Sequence, residues 1–422
     1  MLNLVNLNKK SRCRLGMLLI LAGVSGPGLG QEDVYLKVQS GNFEPVAISV
    51  ADFQGSADPA STRLLREVVE DDLRYSGFFA LDGYGETGAA VQLSGELALA
   101  GGQLQLTARL NELPGEQRIF EKTFTADRQA LRRLGHQTAD AVVQHLIGID
   151  GVAQSQIAYI AEHQGGKELF VMDYDGQGSR QLTFSGTINL SPCWSPDGSR
   201  IAFTSYLEGN PDIYQLLLPG GSPIRLAAYN GINSAPAWSP DGRRLALTLS
   251  KDGNPEIYLL EVSGGKLQRL SFGHGIDTSP SWSPTGREIA FTSDRSGSPQ
   301  IYLMDAEGSG VRRLTFDGNY NVSPAWSPRG DRIAYVTRDD NSFQICSIDV
   351  TGTNLRQLTE GPGRNEEPSW SPNGFHIAYT ASSGGRREIF VMRYDGAQKR
   401  RLSSRAGEQY APAWSPNVTM RD

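Results

Sequence analysis

Residues 192–203 read PCWSPDGSRIAF, and close variants of this stretch return every 44 residues along the chain. In each copy a Trp follows a Pro by two positions and leads into Ser-Pro, and five copies continue through a polar residue and Gly into an apolar run. A repeat of this length, made of short β-branched and aromatic runs without helical periodicity, is typical of a β-propeller blade. All six tryptophans of the protein belong to the pattern: Trp194, Trp238, Trp282, Trp326, Trp370 and Trp414.

The sequence within one repeat also predicts how a blade is built. Pairs such as Asp197-Gly198 supply the positive φ that a tight hairpin turn requires. Each Trp is preceded by a small residue, as Cys193 precedes Trp194, and alternation along a strand places neighbours on opposite faces of the sheet. We therefore predict that each Trp packs against the small residue of the next blade and that the tryptophans are structural. Cys193 and Cys346 fall in different repeats and are expected to be free thiols.

The phase of the repeat predicts how the ring closes. The first unit begins at Ile157 without a Trp-Ser-Pro strand, whereas the last unit ends at Trp414 without a strand to pair. The C-terminal strand is therefore expected to complete the first blade, which removes the exposed edges of an open array. The predicted fold class is mainly β, a six-bladed β-propeller over residues 151–422 preceded by a small α+β domain over residues 44–150.

The predicted leading domain combines two helices with three strands. Asp58-Pro59 begins a helix with one apolar face, and Gly77 ends it. Asp127 is expected to cap a second helix, which Gly148 ends. Three alternating runs lie between the helices, the first two joined by Gly101-Gly102 as a hairpin: 91–99, 104–110 and 118–124.

Residues 1–30 have the three-part layout of a secretory signal peptide. Basic residues at 9–14 precede an apolar run over 15–24 and small, turn-forming residues up to Gly30. An apolar run of this length is too short to span a bilayer. We predict cleavage near Gln31 and export of the protein; a buried N-terminal helix is the alternative.

Composition and motifs argue against several functional classes. The 40 basic and 46 acidic residues give a formal charge of −6, without the basic excess of a nucleic-acid-binding protein. The chain has neither a Gly-x-Ser-x-Gly nor an HExxH motif. His136 and Asp140 lie one helical turn apart, and we interpret them as a solvated or capping pair rather than a metal site. We predict no catalytic residue, metal site or cofactor.

The segment just before each Trp-bearing strand carries the candidate binding residues. Equivalent loops of a propeller converge on one end of its central channel, so polar side chains at their ends are expected to ring its mouth. One interpretation is turn chemistry, because Asn and Asp hydrogen-bond their own backbone; the other is a polar collar that grips a peptide or a partner's loop. A hard cation, which prefers oxygen ligands, is a further possibility for such a collar. The collar positions are Asn189, Asn233, Asp277, Asn321, Asn365 and Gln409. The pockets beside them would be formed by Ile232, Ile276, Thr278 and Tyr320.

The order of segments resembles a known family. A signal peptide, a small α+β domain and six blades of the form PxWSPDGxxIAF…IYxMD…LT are similar to the TolB family, the periplasmic propeller proteins of the Tol-Pal system. The runs SGNFEPVAISVADF at 40–53 and GHQTADAVVQHLIGIDGV at 135–152 strengthen the resemblance. It implies a non-enzymatic periplasmic adaptor whose channel binds the lipoprotein Pal. The family supports outer-membrane integrity and invagination during cell division, and imported bacteriocins exploit it.

The resemblance also implies a second partner at the mature N-terminus. Residues 31–43 correspond to a flexible segment that the inner-membrane protein TolA recognises in the family. Val34, Leu36 and Val38 alternate with polar neighbours, which is typical of a strand that joins a sheet edge of a partner or of its own domain. The predicted contacts are Glu32, Val34, Leu36 and Val38. Two alternative functions remain open: an exported β-propeller hydrolase or lyase, and a scaffold of another envelope complex.

Overall fold

The computed structural model describes residues 44–417 except 56–57, 82–87 and 403–406. The predicted signal peptide and TolA-recognised segment, with Glu32, Val34, Leu36 and Val38, lie outside the described residues. None of the described helices is both long enough and apolar enough to cross a membrane.

The leading domain packs two helices on a mixed β-sheet. Strand order in the sheet is β3-β1-β4-β5-β6, with β2 paired to β4; β1 runs parallel to β3 and β4, and β4, β5 and β6 are antiparallel. Apolar faces of both helices and of the sheet form one buried core. The elements are β1 (Val46–Val50), β2 (Gln54–Gly55), α1 (Pro59–Ser76), β3 (Phe79–Leu81), β4 (Val91–Ala100), β5 (Gln103–Glu112), β6 (Gln117–Ala126) and α2 (Leu131–Ile147).

Capping residues decide where these helices begin and end. The Asp58 Oδ1 accepts hydrogen bonds from the backbone N–H groups of Ala60 and Ser61, both at 3.0 Å, and so caps α1 as predicted. Gly77 and Gly148 end α1 and α2 in the left-handed conformation, with φ of 76° and 78°. The predicted Asp127 cap is wrong: α2 follows Ala130 without a side-chain cap. The backbone carbonyl of Asp127 instead accepts the Ala130 N–H at 2.9 Å, which closes a turn before the helix.

Within the described residues the rest of the chain forms six four-stranded antiparallel sheets, which confirms the predicted six-bladed propeller. The inner strands are β10 (Asn189–Trp194), β14 (Asn233–Trp238), β18 (Asp277–Trp282), β22 (Asn321–Trp326), β26 (Asn365–Trp370) and β30 (Gln409–Trp414). The second strands are β7 (Gln156–His163), β11 (Arg200–Ser205), β15 (Arg244–Leu249), β19 (Glu288–Ser293), β23 (Arg332–Asp339) and β27 (His376–Ser383). The third strands are β8 (Gly166–Asp173), β12 (Asp212–Leu217), β16 (Glu256–Glu261), β20 (Gln300–Asp305), β24 (Ser342–Asp349) and β28 (Arg386–Arg393). The outer strands are β9 (Arg180–Gln181), β13 (Ile224–Ala227), β17 (Leu267–Arg269), β21 (Arg312–Arg313), β25 (Arg356–Gln357) and β29 (Arg400–Arg401).

We number the blades by their inner strands, from blade 1 (β10–β13) to blade 5 (β26–β29), and blade 6 joins β30 to β7–β9. In blade 6 the last inner strand pairs with the first strand of the propeller, with Trp414 opposite Ile157 and Gln409 opposite Ala161. The predicted closure by the C-terminal strand is therefore confirmed. The Ser415 backbone N–H extends this pairing by donating to the Gln156 carbonyl at 2.8 Å.

The tryptophans join neighbouring blades, as predicted, but in the opposite direction. The indole N–H of Trp194 in blade 1 donates to the Ala413 carbonyl of blade 6 at 3.0 Å. The Trp282 indole N–H donates in the same way to Ala237, at 3.1 Å. Each of these side chains leaves its strand toward the preceding blade rather than the next one. All six tryptophans are buried, which agrees with a structural role.

Each inner strand is interrupted by a β-bulge just before its Pro. The register shifts at this point in all six strands, because Pro has no N–H with which to continue the ladder. The residue before the Pro has a left-handed backbone, with φ between 50° and 57°. These bulge residues are Ser191, Ala235, Ser279, Ser323, Glu367 and Ala411.

The leading domain packs on blades 5 and 6 at the end where the inner strands finish. The His376 Nε2 lies 2.9 Å from the Tyr75 carbonyl, and the Tyr174 hydroxyl donates to Asp72 Oδ1 at 2.6 Å. The interpretation of His136 as a solvated residue is wrong, because its buried ring contacts Asp72 Oδ2 at 2.7 Å. Asp140 accepts the backbone N–H groups of residues 153 and 154 and so fixes the linker between domain and propeller.

Candidate functional site

The candidate site is the face of the propeller on which the six inner strands begin. We call it the channel face. It is formed by the loops that lead from each outer strand to the next inner strand, and by the hairpins between second and third strands. The leading domain lies at the other end of the strands, where the Asn373 side chain donates to the Asp150 carbonyl at 2.9 Å. The described part of the leading domain therefore lies away from the channel face.

The predicted collar side chains lie inside the loops of this face rather than on its surface. Asn189, Asn233, Asp277, Asn321 and Gln409 are at most 1% exposed, and Asn365 is half-buried. This corrects the expectation that these groups ring the mouth as an exposed polar collar. The physical reason is that buried polar groups need hydrogen-bond partners. The loop backbone supplies them for Asn233 and Asn321, as in the alternative interpretation of turn chemistry, and the Arg295 guanidinium supplies one for Asp277.

Two of these amides illustrate how the loops are held. The Asn233 Nδ2 donates to the Tyr229 carbonyl at 2.7 Å, and its Oδ1 accepts the Tyr229 N–H at 2.9 Å. The Asn321 Nδ2 donates to the Asp317 carbonyl at 2.8 Å and to Gln300 Oε1 at 2.9 Å. Each amide therefore ties the start of its inner strand to the loop before it.

Asp277 is the acidic member of the set and has a cationic partner. The Arg295 guanidinium donates to Asp277 Oδ2 at 2.7 Å. Burial raises the pKa of the Asp277 carboxyl, and hydrogen bonds and the Arg295 charge act in the opposite direction. Among the described residues, no group of three or more His, Cys, Asp or Glu side chains could hold a metal ion.

The surface of the channel face is formed largely by the residues beside the collar. Ile188, Ile232 and Ile276 immediately precede collar residues and are 40–47% exposed. Tyr320 occupies the same place before the next inner strand and is half-buried, as is Thr278. The predicted pocket residues Ile232, Ile276, Thr278 and Tyr320 therefore lie at the starts of three successive inner strands, in blades 2, 3 and 4.

Three exposed phenylalanines, which are not among the predicted site residues, extend this apolar surface. Phe184, Phe272 and Phe316 follow the outer strands of their blades and are 80%, 68% and 71% exposed. They occupy one position of the 44-residue repeat, so a search for apolar residues in polar loops would have found them. We call the combined surface the apolar arc: Phe184, Ile188, Ile232, Phe272, Ile276, Phe316 and Tyr320.

The loops that lead into blades 5 and 6 present charges instead. Arg364 and Glu408 occupy the repeat position that Ile188 holds before blade 1. Arg364 pairs with Glu366 and Arg387 pairs with Glu408, each at 2.8 Å, around a cleft of about 400 Å³. The collar pattern did not predict these residues, because they lie at other positions of the repeat. We call them, with the adjacent Glu367, the charged sector: Arg364, Glu366, Glu367, Arg387 and Glu408.

Comparison with known proteins agrees with the resemblance in the sequence. Residues 143–418 match the family model of the TolB beta propeller domain. The Tol-Pal system protein TolB of Geobacter sulfurreducens is 36% identical over 202 residues, which cover 43% of this chain and 47% of that protein. The protein of the same name from Dechloromonas aromatica is 35% identical over 211 residues, 46% of this chain and 49% of that protein. The chain thus spans about half the length of these curated relatives.

A solved structure extends the similarity to most of the chain. The crystal structure of TolB from Acinetobacter baumannii matches with a TM-score of 0.81 at 30% sequence identity. The match covers 89% of this chain and 97% of that one. It therefore includes the leading domain as well as the propeller.

Proposed function

The chain belongs to the TolB family, and on that premise we propose that it is a non-enzymatic periplasmic adaptor of a Tol-Pal system. In this proposal the channel face of the propeller binds the lipoprotein Pal. The N-terminal segment over residues 31–43 binds TolA. The assembly supports outer-membrane integrity and invagination during cell division, and it is open to exploitation by imported bacteriocins.

The observation that carries the Pal proposal is the apolar arc. Seven apolar side chains from four successive loops lie on the channel face, and six of them are at least 40% exposed. Contiguous exposed apolar surface is typical of protein-docking sites, because its burial is the main favourable term in association. Aromatic residues are enriched among the side chains that dominate binding energy. The arc therefore favours a protein ligand over a small polar substrate.

The buried amides beneath the arc support the same proposal. Hydrogen bonds such as those of Asn233 to Tyr229 hold the loops in one conformation before a partner arrives. Ordering a flexible loop on binding costs free energy, so a loop that is already fixed binds more tightly. In this role the collar residues act through the loops and need not touch the partner.

The TolA proposal depends on the family and on the sequence of residues 31–43. Val34, Leu36 and Val38 alternate with polar residues, which suits a strand that adds to the edge of a partner's sheet. Glu32 and these three residues are the proposed contacts. In the leading domain, β3 and β6 are the edge strands of the described sheet, so the same segment has an intramolecular docking alternative.

The test of the Pal proposal is calorimetric titration of residues 31–422 with a lipid-free Pal domain. The double variant Ile232→Ser, Ile276→Ser removes the centre of the apolar arc without cutting a hydrogen bond of the described structure. We expect it to bind Pal at least roughly tenfold more weakly, because residues at the centre of an interface carry most of its energy. Leu217→Ser is the matched control: its side chain is 47% exposed but lies at the opposite end of a strand.

The outcomes separate the proposed adaptor from its alternatives. Equal Pal affinity of the double variant and the control would remove the apolar arc from the interface. Absence of Pal binding by the unsubstituted protein would overturn the adaptor proposal in favour of another envelope complex, and turnover of a polysaccharide would favour a hydrolase or lyase. For TolA, we expect a version starting at Glu44 to lose binding and the 31–43 peptide to retain it. Undiminished TolA binding by the shortened protein would show that this segment is not the epitope.

A further inference from the structure

Glu367 departs from the pattern of the other five bulge positions. The six bulge residues share a left-handed backbone, with φ between 50° and 57°, and five of them are Ser or Ala. A small side chain therefore satisfies this place in the fold. The carboxylate of Glu367 is an addition that the bulge itself does not require.

The Glu367 carboxylate lies between blades 5 and 6 at the wall of the charged cleft. Its Oε2 accepts the Thr380 hydroxyl of blade 5 and the Ala411 backbone N–H of blade 6, each at 2.7 Å. The residue is nevertheless exposed, because its remaining side faces the cleft of about 400 Å³. Two hydrogen bonds thus hold a carboxylate in place with one side open.

Within the charged sector, Glu367 is the acidic residue without an ion-pair partner among the described residues. Arg364 pairs with Glu366, and Arg387 pairs with Glu408. Among the described residues, no Lys, Arg or His forms an ion pair with Glu367. Two arginines and three glutamates give the sector a net charge of about −1 at neutral pH.

The surroundings make this negative charge unfavourable in the free protein. Desolvation by the adjoining blades raises the pKa of Glu367, and the negative charge of Glu366 raises it further, whereas the two hydrogen bonds and the positive charge of Arg387 lower it. A cation placed in the cleft would stabilise the ionised carboxylate by direct charge attraction and so offset both effects. The cleft is therefore prepared for one positive group.

We propose that the cleft receives a single Lys or Arg side chain of the protein that docks on the channel face, with Glu367 as its counter-charge. A basic side chain fits the cleft better than a free dication does. The sector has one negative charge in excess and two arginines nearby, so one positive charge neutralises it and two would not. The apolar arc covers the loops that lead into blades 1–4, and the charged sector covers those that lead into blades 5 and 6. A partner with an apolar surface and one basic residue beside it would match both. This inference rests on the proposed function, in which that partner is Pal.

The first experiment measures Pal affinity for two substitutions at Glu367. Glu367→Gln keeps the shape and removes the charge, and Glu367→Ser installs the residue that Ser191, Ser279 and Ser323 supply at equivalent bulges. Both variants should fold, which their melting temperatures check. We expect each to bind lipid-free Pal roughly 10- to 100-fold more weakly at low salt, with the difference shrinking at high salt. Glu261→Gln is the matched control, since it removes the same charge from an exposed side chain at the opposite end of a strand.

The second experiment identifies the basic group. Each Lys and Arg of the Pal domain is replaced by Met and titrated against the unsubstituted protein and Glu367→Gln. We expect one basic residue whose loss weakens binding to the unsubstituted protein and has no further effect on Glu367→Gln, as a double-mutant cycle requires of a direct pair.

The results distinguish this inference from the proposed function. If the unsubstituted protein and Glu367→Gln bind Pal equally, or if Glu367→Gln binds more tightly, the counter-charge inference is overturned and Pal binding stands. If no basic residue of Pal is coupled to Glu367, the inference is likewise overturned. If the unsubstituted protein does not bind Pal, both proposals fail.

Discussion

Blades 1–4 and blades 5–6 are built on one repeat, yet they differ at the channel face, and blade 5 also differs at the other end of its strands. At the channel face, apolar residues such as Ile232 lead into the first group, whereas Arg364 and Glu408 lead into the second. At the other end, the place of Ser199 in blade 1 is taken by Phe375 in blade 5. This position is polar in blades 1–4, so both differences fall in blades that also carry the leading domain.

The two sets of departures have different explanations. Phe375 is 8% exposed, and its ring lies 5.1 Å from that of Phe78 in the core of the leading domain. Packing within the protein accounts for it. The charged sector faces the cleft instead, and the leading domain lies on the opposite face. The repeat therefore allows the blades to be compared with one another. A residue that differs from the other blades and packs within the protein has a structural role. A residue that differs and has no such packing is a candidate contact for a binding partner.

Removal of the closing strand is expected to have the largest effect on stability, because it opens the ring between blade 6 and its neighbours. A chain that ends before Tyr410 loses the pairing of β30 with β7 and the buried Trp414. Truncation of one large buried aromatic costs roughly 3–5 kcal/mol, against a typical stability of roughly 5–15 kcal/mol for a whole domain. We expect the propeller to unfold, as measured by circular dichroism. A melting temperature close to that of a chain ending at Asn417 would contradict closure as a source of stability.

Loss of the collar amides should come next. The triple variant Asn233→Ala, Asp277→Ala, Asn321→Ala removes buried side chains that hold three loops of the apolar arc. Each substitution leaves buried partners unsatisfied, at a cost of about 1–3 kcal/mol. We expect a lower melting temperature and Pal binding that follows the folded fraction. Weaker binding by fully folded protein, with unchanged melting, would instead place these side chains in the interface.

The sequence predicted the propeller because six copies of one pattern constrain it, and it predicted α1 because Asp58 and Gly77 are strong local signals. It failed at Asp127, where a turn in the backbone takes the place of a side-chain cap. It left open whether the collar amides form a polar collar or bind their own loops, since Asn189 and Asn321 look alike in sequence whether they face the solvent or their own loop. Two further features depend on which element packs opposite: the direction of the Trp side chains and the packing of His136 against Asp72. The residue pattern of one strand or helix does not specify its neighbour in the fold.

Replacement of Phe375 by a polar residue, as in blades 1–4, tests the structural departure. Phe375→Ser gives blade 5 the residue that blade 1 has as Ser199, but the side chain is packed against Phe78 and Tyr394. Loss of a buried aromatic side chain typically costs roughly 3–5 kcal/mol. We expect a clear drop in melting temperature, with Pal affinity of the folded protein unchanged. A neutral effect on stability would mean that the leading domain does not depend on this contact.

The stability of the interface between the leading domain and blade 5 should depend on pH. Burial lowers the pKa of His376 to about 4, and its Nε2 lies 2.9 Å from the Tyr75 carbonyl. Because this pKa is depressed below the unfolded value of about 6.5, the unfolded chain takes up a proton first on acidification. Stability is therefore lost as the pH falls from about 6.5 to about 4, by roughly 3 kcal/mol.

The measurement is the difference in unfolding free energy between the unsubstituted protein and His376→Gln across this range. The difference is needed because nearby groups titrate with the opposite sign: burial raises the pKa of Asp140 to about 6, and Asp72 raises that of His136 against the effect of burial. We expect the advantage of the unsubstituted protein over the variant to shrink steadily toward pH 4. A difference that does not vary with pH would show that His376 titrates normally.

The smallest effect on stability is expected where the repeat residue is restored in the charged sector. Arg364→Ile gives the loop before blade 5 the residue that precedes blades 1, 2 and 3. The substitution removes an ion pair with Glu366 whose Arg side chain is 56% exposed, and such pairs contribute about 0–1 kcal/mol. We expect a melting temperature within a few degrees of the unsubstituted protein, in contrast to Phe375→Ser in the same blade. A drop in melting temperature as large as that of Phe375→Ser would show that the fold needs the charged sector. The charged residues around the cleft could then not be distinguished from residues that are present for packing alone within this protein.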